Sequence, residues 1–162
     1  MNQNRIYPCS NQSTLTIATY AFTSTGPSGT ITMSGGVNAS ALVAGQSIFL
    51  GGFSSTGGFV PSTEYFVIPV ASGSIQIATS KANALNGTFS SASGNVSGTI
   101  YPTYEVGGVL YVGASGDVNA RGIDSSVFSV LKNVPAGTRL PFMFKDVSAS
   151  GTTATYLVPW NR

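Results

Sequence analysis

The sequence predicts an all-β protein, an antiparallel β-sandwich or barrel of jelly-roll-like type, and three observations carry that expectation. Short segments alternate apolar and hydroxyl-bearing residues with a period of two. Clusters of Gly, Pro, Asn and Ser interrupt the chain about every 8–12 residues, the rhythm of strands joined by tight turns. Only one stretch, SKANALNG over 80–87, has helical character, and it is a single turn ended by Gly87.

The elements follow in order. TLTIATYA (14–21) puts Leu15 and Ile17 on one face and threonines on the other, and GTITMS (29–34) repeats the pattern after the turn signal TGPSG. QSIFLGGF (46–53), STEYFVIPV (62–70) and SIQIATS (74–80) are each short, rich in β-branched or aromatic residues and bounded by turn formers. Beyond the helical turn come NVSGTIY (95–101), VGGVLYVG (106–113), DVNARG (117–122), VFSVLKN (127–133), RLPFMFKDV (139–147) and TTATYLVPW (152–160). In RLPFMFKDV, Leu140, Phe142 and Phe144 alternate with Arg139, Met143 and Lys145, and Pro141 calls for an edge position or a bulge. Pro135-Ala136-Gly137 makes the turn before it.

Ser93 to Gly98 is loose and polar, and Tyr101-Pro102 biases the chain to extended backbone, so two small β modules are expected, over 14–100 and 101–162. Residues 1–13 (MNQNRIYPCSNQS) read as an extended N-terminal arm, since Pro8 opposes a helix and the segment is too short for a core of its own. Within it Arg5, Ile6 and Tyr7 are the candidate partner-binding residues. The start has no apolar run of the signal-peptide kind, and no segment approaches the length of a membrane span, so no membrane partner is expected.

Composition narrows the function. Charged residues make up 7% of the chain, against about 25% in an average soluble domain. Lys and Arg number 7 against 5 Asp and Glu, with no basic run, so no nucleic-acid partner is expected. Such weak charge repulsion suits a subunit covered by neighbours better than a free monomer. A single cysteine, Cys9, rules out an intrachain disulfide and a multi-cysteine metal site, and reads as a bystander thiol. Sequons at Asn11, Asn38, Asn86 and Asn95 are what a chain rich in Asn, Ser and Thr produces by chance.

Catalytic chemistry is scarce. With His at 0 there is no Ser-His-Asp or Cys-His arrangement and no His-ligated zinc. The carboxylates are Glu64, Glu105, Asp117, Asp124 and Asp146, none in a motif, although a glycosidase would need two of them facing across a cleft. No catalytic residue, metal site or cofactor is therefore expected. Asp117-Val-Asn119-Ala-Arg121-Gly122-Ile-Asp124 echoes the opening of a calcium loop, but Arg121 stands where an oxygen ligand belongs, and Phe128 where a bidentate Glu is needed. A strand running into a turn at Gly122 is the plainer reading. Phe49, Phe53, Phe59, Tyr65 and Phe66 crowd one stretch and Tyr101, Tyr104 and Tyr111 another. Core and subunit-interface packing is the first reading of these rings; stacking on sugars is the second.

Two segments carry a resemblance. GGVLYVGASGDVNARGIDSSVFSVLKNVPAGTRLPFMFKDVSASGTTATYLVPW (107–160) resembles the head-spike-base proteins of gene-transfer agents and related small structural proteins of tailed phages. Its LYVG…GDV pair, NVPAGT.LP turn and GTTAT before a final apolar strand carry the likeness, with Tyr156 and Pro159 departing from the acidic or hydroxyl-rich ending of that family. LVAGQSIFLGG, GGFVPSTEYFVI and SGSIQIATSKANALNGT, between 42 and 88, resemble a repeat of phage tail and head-decoration proteins. The resemblance implies a non-enzymatic virion protein, a capsid decoration (cement) or head-spike-base subunit on the particle's surface. Its partners would be the major capsid protein or other virion subunits. It would form a homo-oligomer, a trimer first and a pentamer second. A tail-fibre or adhesin module binding host surface glycans is the alternative.

Overall fold

Period-two alternation in the first half of the chain closes into a barrel. The structure, a computed structural model, describes residues 14–26, 29–34, 41–53, 57–71 and 73–160. Strands β1 (Tyr20–Ser24), β2 (Ile31–Met33), β3 (Ser47–Gly51), β4 (Glu64–Ala71) and β5 (Ser74–Ala78) are followed by α1 (Lys81–Leu85) and the long strand β6 (Val96–Ala114). They pair antiparallel in the order β1-β2-β5-β4-β3, and the first half of β6 joins β3 back to β1. Six strands thus form a closed ring in which none presents a free edge. Every second residue points inward: Ile48 and Leu50 on β3, Tyr65 and Val67 on β4, Ile75 and Ile77 on β5, Ile100 on β6. Ser80 caps α1, its Oγ accepting from Asn83 N at 3.1 Å, and Gly87 takes φ +73° just past the helix end.

The second half builds a different unit. Strands β7 (Gly116–Gly122), β8 (Ser129–Val134), β9 (Thr138–Ser148) and β10 (Thr155–Trp160) assemble with the second half of β6 in the order β10-β6-β9-β7-β8, all antiparallel. Val106, Leu110, Val112, Val118, Leu140, Phe144, Val147 and Leu157 form its own core. The chain before β10 curls onto β7, where Thr153 N and Ala154 N both donate to Asp117 O, at 2.9 and 3.1 Å. The all-β, antiparallel barrel class read from the sequence holds.

Three local expectations change. The segments read as strands over 95–101 and 106–113 are one strand of 19 residues. Pro102 is tolerated inside it because β1 pairing ends at Ile100 and β9 pairing starts at Thr103, so the missing N–H falls at the handover. The segment 14–21 becomes a strand only from Tyr20; Leu15 instead makes an isolated bridge to Leu157, and Leu15 and Ile17 pack on the second core. Pro141 does sit in a bulge: β9 advances from Leu140 to Phe144 while β6 moves only from Leu110 to Gly108. The extra residues turn Phe142 outward, 60% exposed, while Leu140 and Phe144 stay buried.

Barrel closure needs close backbone approach at Gly98. A Cβ there would lie 2.7 Å from Gly51 O and 3.1 Å from the Phe22 ring. Gly98→Val is expected to destabilise the protein by about 1–3 kcal/mol through overpacking. Gly94→Ala, whose new methyl meets nothing within 4 Å, should be close to neutral. Chemical denaturation of both variants checks this, and equal midpoints would contradict the closed barrel.

Candidate functional site

The two units meet across a cleft of about 660 Å³ lined from both sides. Its centre is Arg121 on β7. Strand alternation sends Val118 and Ala120 into the second core, so Arg121 projects toward the barrel. There it meets Glu64 at the start of β4 and Asp146 on β9, its own cross-strand partner. Nε donates to Asp146 Oδ2 at 2.9 Å, and Nη2 contacts the same oxygen. Nη2 and Nη1 donate to the two oxygens of Glu64 at 3.1 and 3.4 Å, a fork-to-fork pair. The Phe128 ring covers the guanidinium, 4.6 Å from its carbon to the ring centroid. The side chains of Arg121 and Asp146 are 8% and 5% exposed and that of Glu64 30%, so the first contact is nearly dry and the second half-wet.

Electrostatics follow from that burial. Desolvation pushes the Glu64 carboxyl up, but hydrogen bonds from Ser47 and Arg121 and the charges of Arg121 and Lys145 outweigh it. Glu64 is therefore held below the 4.5 of an unperturbed glutamate. Desolvation likewise opposes the Arg121 charge, and the hydrogen bonds and charges of Glu64 and Asp146 more than restore it. A general acid at neutral pH needs the opposite shift. What this arrangement does chemically is clamp one β unit to the other.

The remaining cleft residues are structural or solvent-facing. Gln46 bridges the units: Oε1 accepts from Val43 N at 3.0 Å, and Nε2 donates to Thr103 O at 2.9 Å. Tyr104 Oη accepts from Ala18 N at 3.0 Å and donates to Ala18 O at 3.3 Å, pinning the segment before β1; burial raises its pKa. Lys81 and Glu105 pair loosely at 3.8 Å on the exposed rim.

The calcium-loop echo is a strand. Asp117 Oδ2 accepts from Lys132 Nζ at 2.7 Å and Oδ1 from Asn133 N at 2.9 Å, both toward β8, while Arg121 faces the cleft. Oxygens of that run do not converge. Among the described residues no group of three or more Cys, Asp or Glu is placed to hold a metal ion, and no helix is long and apolar enough to cross a membrane. Arg5, Ile6 and Tyr7 lie outside the described residues. Arg121 itself was legible only as a misfit in a calcium pattern, because Glu64 is 57 residues away in the chain.

Removing the shared cation would leave two carboxylates facing each other. Arg121→Ala is expected to cost about 3–5 kcal/mol, as loss of one partner of a buried pair does, read from urea unfolding. Since Glu64 is depressed in the folded state, its stabilisation is fully present above pH 4.5 and disappears as pH falls through the lower folded value. Glu64→Gln should therefore flatten the acid limb of the stability profile; an unchanged limb would remove Glu64 as its source. Compared with known proteins, the chain finds no significant match to a family model, a curated protein or a solved structure.

Proposed function

We propose that this chain is a non-enzymatic structural protein of a tailed-phage virion, a capsid decoration (cement) or head-spike-base subunit that binds the assembled shell and stiffens it across subunit boundaries. The observation that carries this reading is an asymmetry between the two units. The barrel has no edge strand, whereas the second unit has two, β10, paired by β6 and bridged once by Leu15, and β8, paired on one side by β7. Around the turn that leads into β8 lie exposed apolar side chains: Ile123 and Val127 in the β7–β8 connection, and Phe142 and Met143 in the β9 bulge. Ile123 N donates to Met143 O at 3.1 Å, which puts the connection and the bulge side by side. Exposed apolar clusters next to an open edge are the surface a permanently assembled subunit buries. The resemblance of residues 42–88 and 107–160 to phage structural proteins and the 7% charge content support the same reading.

In this reading the partners are the major capsid protein or other virion subunits, and the free protein is a homo-oligomer, with a trimer first and a pentamer second. A second reading, a tail-fibre or adhesin module for host surface glycans, is favoured by one feature. Phe49 and Tyr101 stand side by side on the outer surface of the barrel, as direct cross-strand partners.

Purified protein should co-sediment with mature shells of its phage. Phe142→Asp, at an already exposed position, should weaken that binding by about tenfold or more, equivalent to about 1.4 kcal/mol, while unfolding stays cooperative and falls only by the lost edge contact with Phe144, about 0.5–1.5 kcal/mol. Association only with tails would overturn the placement on the shell. Light scattering at micromolar concentration should give an oligomer, and a monomeric mass would count against self-assembly off the shell.

A further inference from the structure

Beyond the Arg121–Phe128 contact a second, smaller cleft of about 380 Å³ opens between the units, beside Phe49, Tyr101 and Phe128. Another group of rings lies on the open surface, on the outer face of the second sheet. Leu110, Val112, Leu140 and Leu157 point into the core, so their strand neighbours point away from it. Val158, Tyr111 and Arg139 are direct partners in one row across β10, β6 and β9. Trp160 lies two residues along β10 on the same face, with the Arg139 guanidinium carbon 5.7 Å from its ring centroid. Tyr156 lies two residues the other way, over Gly113, where a Cβ would come within 2.7 Å of the Tyr156 Cβ. Tyr156 holds φ +54°, an outlier for a bulky residue, and is nevertheless 68% exposed. Tyr111, Trp160 and Arg139 are exposed as well. Tyr, Trp and Arg are the residues that carry most of the binding energy at protein interfaces.

At the other end of the same sheet, the connection from β7 to β8 forms a compact projection. Ile123 N donates to Met143 O at 3.1 Å, Ser125 N to Gly122 O at 3.0 Å, and Val127 N to Ser125 Oγ at 3.0 Å. The turn is thus set before any partner arrives, and docking it costs little ordering entropy. It presents Ile123 and Val127, both exposed, with Asp124 exposed between them. Glu64, Glu105, Asp117 and Asp146 each pair with a cation. Asp124 pairs with none among the described residues. Arg139 likewise has no carboxylate partner there, and a guanidinium stacked on a ring keeps its N–H donors at its edge.

We infer that the aromatic face of one copy receives the 123–127 turn of a second copy of this chain. Ile123 and Val127 cover the Tyr111, Tyr156 and Trp160 rings, and Asp124 pairs with Arg139. Charge selects this occupant: each unpartnered ion sits among apolar groups, and only the opposite charge covers it without leaving a buried, unpaired ion. The face is built on β10, β6 and the start of β9, and the turn springs from β7 and β8 at the opposite end of the strand order, so the contact runs head to tail. A head-to-tail contact is what a ring of three or five copies requires, whereas a self-complementary patch gives a dimer. The inference rests on the self-assembly reading above and names its surfaces; Phe142 and Met143 stay available to the shell.

Sedimentation velocity of the full chain at micromolar concentration provides the test. Asp124→Arg and Arg139→Asp, each at an exposed position, should weaken self-association by about tenfold or more, while unfolding stays cooperative. The double variant Asp124→Arg/Arg139→Asp restores opposite charges with their signs exchanged. It should recover most of the lost association, an outcome that damage to the fold would not produce. Unchanged oligomers in the single variants, or no recovery in the double, would overturn these surfaces while sparing self-assembly. A parent chain that stays monomeric at every concentration would overturn both.

Discussion

Strand β6 has to serve two hydrophobic cores at once, and the geometry of the whole molecule descends from how it does so. Its first residues close the barrel between β1 and β3, and its last form the centre of the second sheet between β9 and β10. The handover falls at Pro102 and Thr103. Thr103 is buried and polar, and its hydroxyl donates to Ser47 O at 3.0 Å while Ser47 Oγ stands 2.8 Å away. Immediately beyond, register shifts on either side of Gly108 and the left-handed Gly107, φ +61°, redirect the strand. A single continuous backbone therefore links the units without a linker between them.

Arg121 then holds that geometry from the side. In a chain so poor in charge, three ionised groups gathered in one contact are a conspicuous use of it. An ion pair this buried gains little net stability over apolar packing, but it tolerates only one arrangement of its partners. Glu64 belongs to the barrel and Asp146 to the second sheet, so satisfying Arg121 requires both units to be docked. The Phe49–Phe128 edge contact adds a second, apolar tie at the same seam.

The seam also explains why both clefts lie where they do. Two convex β units joined along one strand leave grooves on either side of the contact that clamps them. One groove received the charged residues and is largely satisfied internally through Arg121, Gln46 and Tyr104. The other received aromatic rings and neutral hydrogen-bonding groups. Free ends divide in the same way: the closed barrel offers no strand edge, and the second unit offers β10 at one end and β8 at the other.

Much of the architecture was readable in the residues themselves. The segments 46–53, 62–70 and 74–80 were legible as strands and contain β3, β5 and most of β4, because β-branched and aromatic residues between turn formers favour extended backbone locally and need no partner. Gly87 marked the end of α1 for a local reason too, the positive φ just past a helix. Where the reading failed, the decision was made elsewhere in the chain. Leu15 and Ile17 alternate like a strand, yet Leu15 bridges Leu157 on β10, more than a hundred residues on in the sequence, and both pack on the second core. Phe142 fits the buried pattern of Leu140 and Phe144, and a bulge against β6 turns it outward. The Arg121 clamp and the aromatic cleft showed in the sequence only as a misplaced cation in a calcium-like run and as crowded rings, since Arg121 and Glu64, like Phe49 and Phe128, are far apart in the chain and meet only when the two units dock. Sequence periodicity reports the face a residue takes within its own strand; which strand comes to lie opposite that face is settled by long-range pairing, and the Arg121 clamp and both clefts are made there.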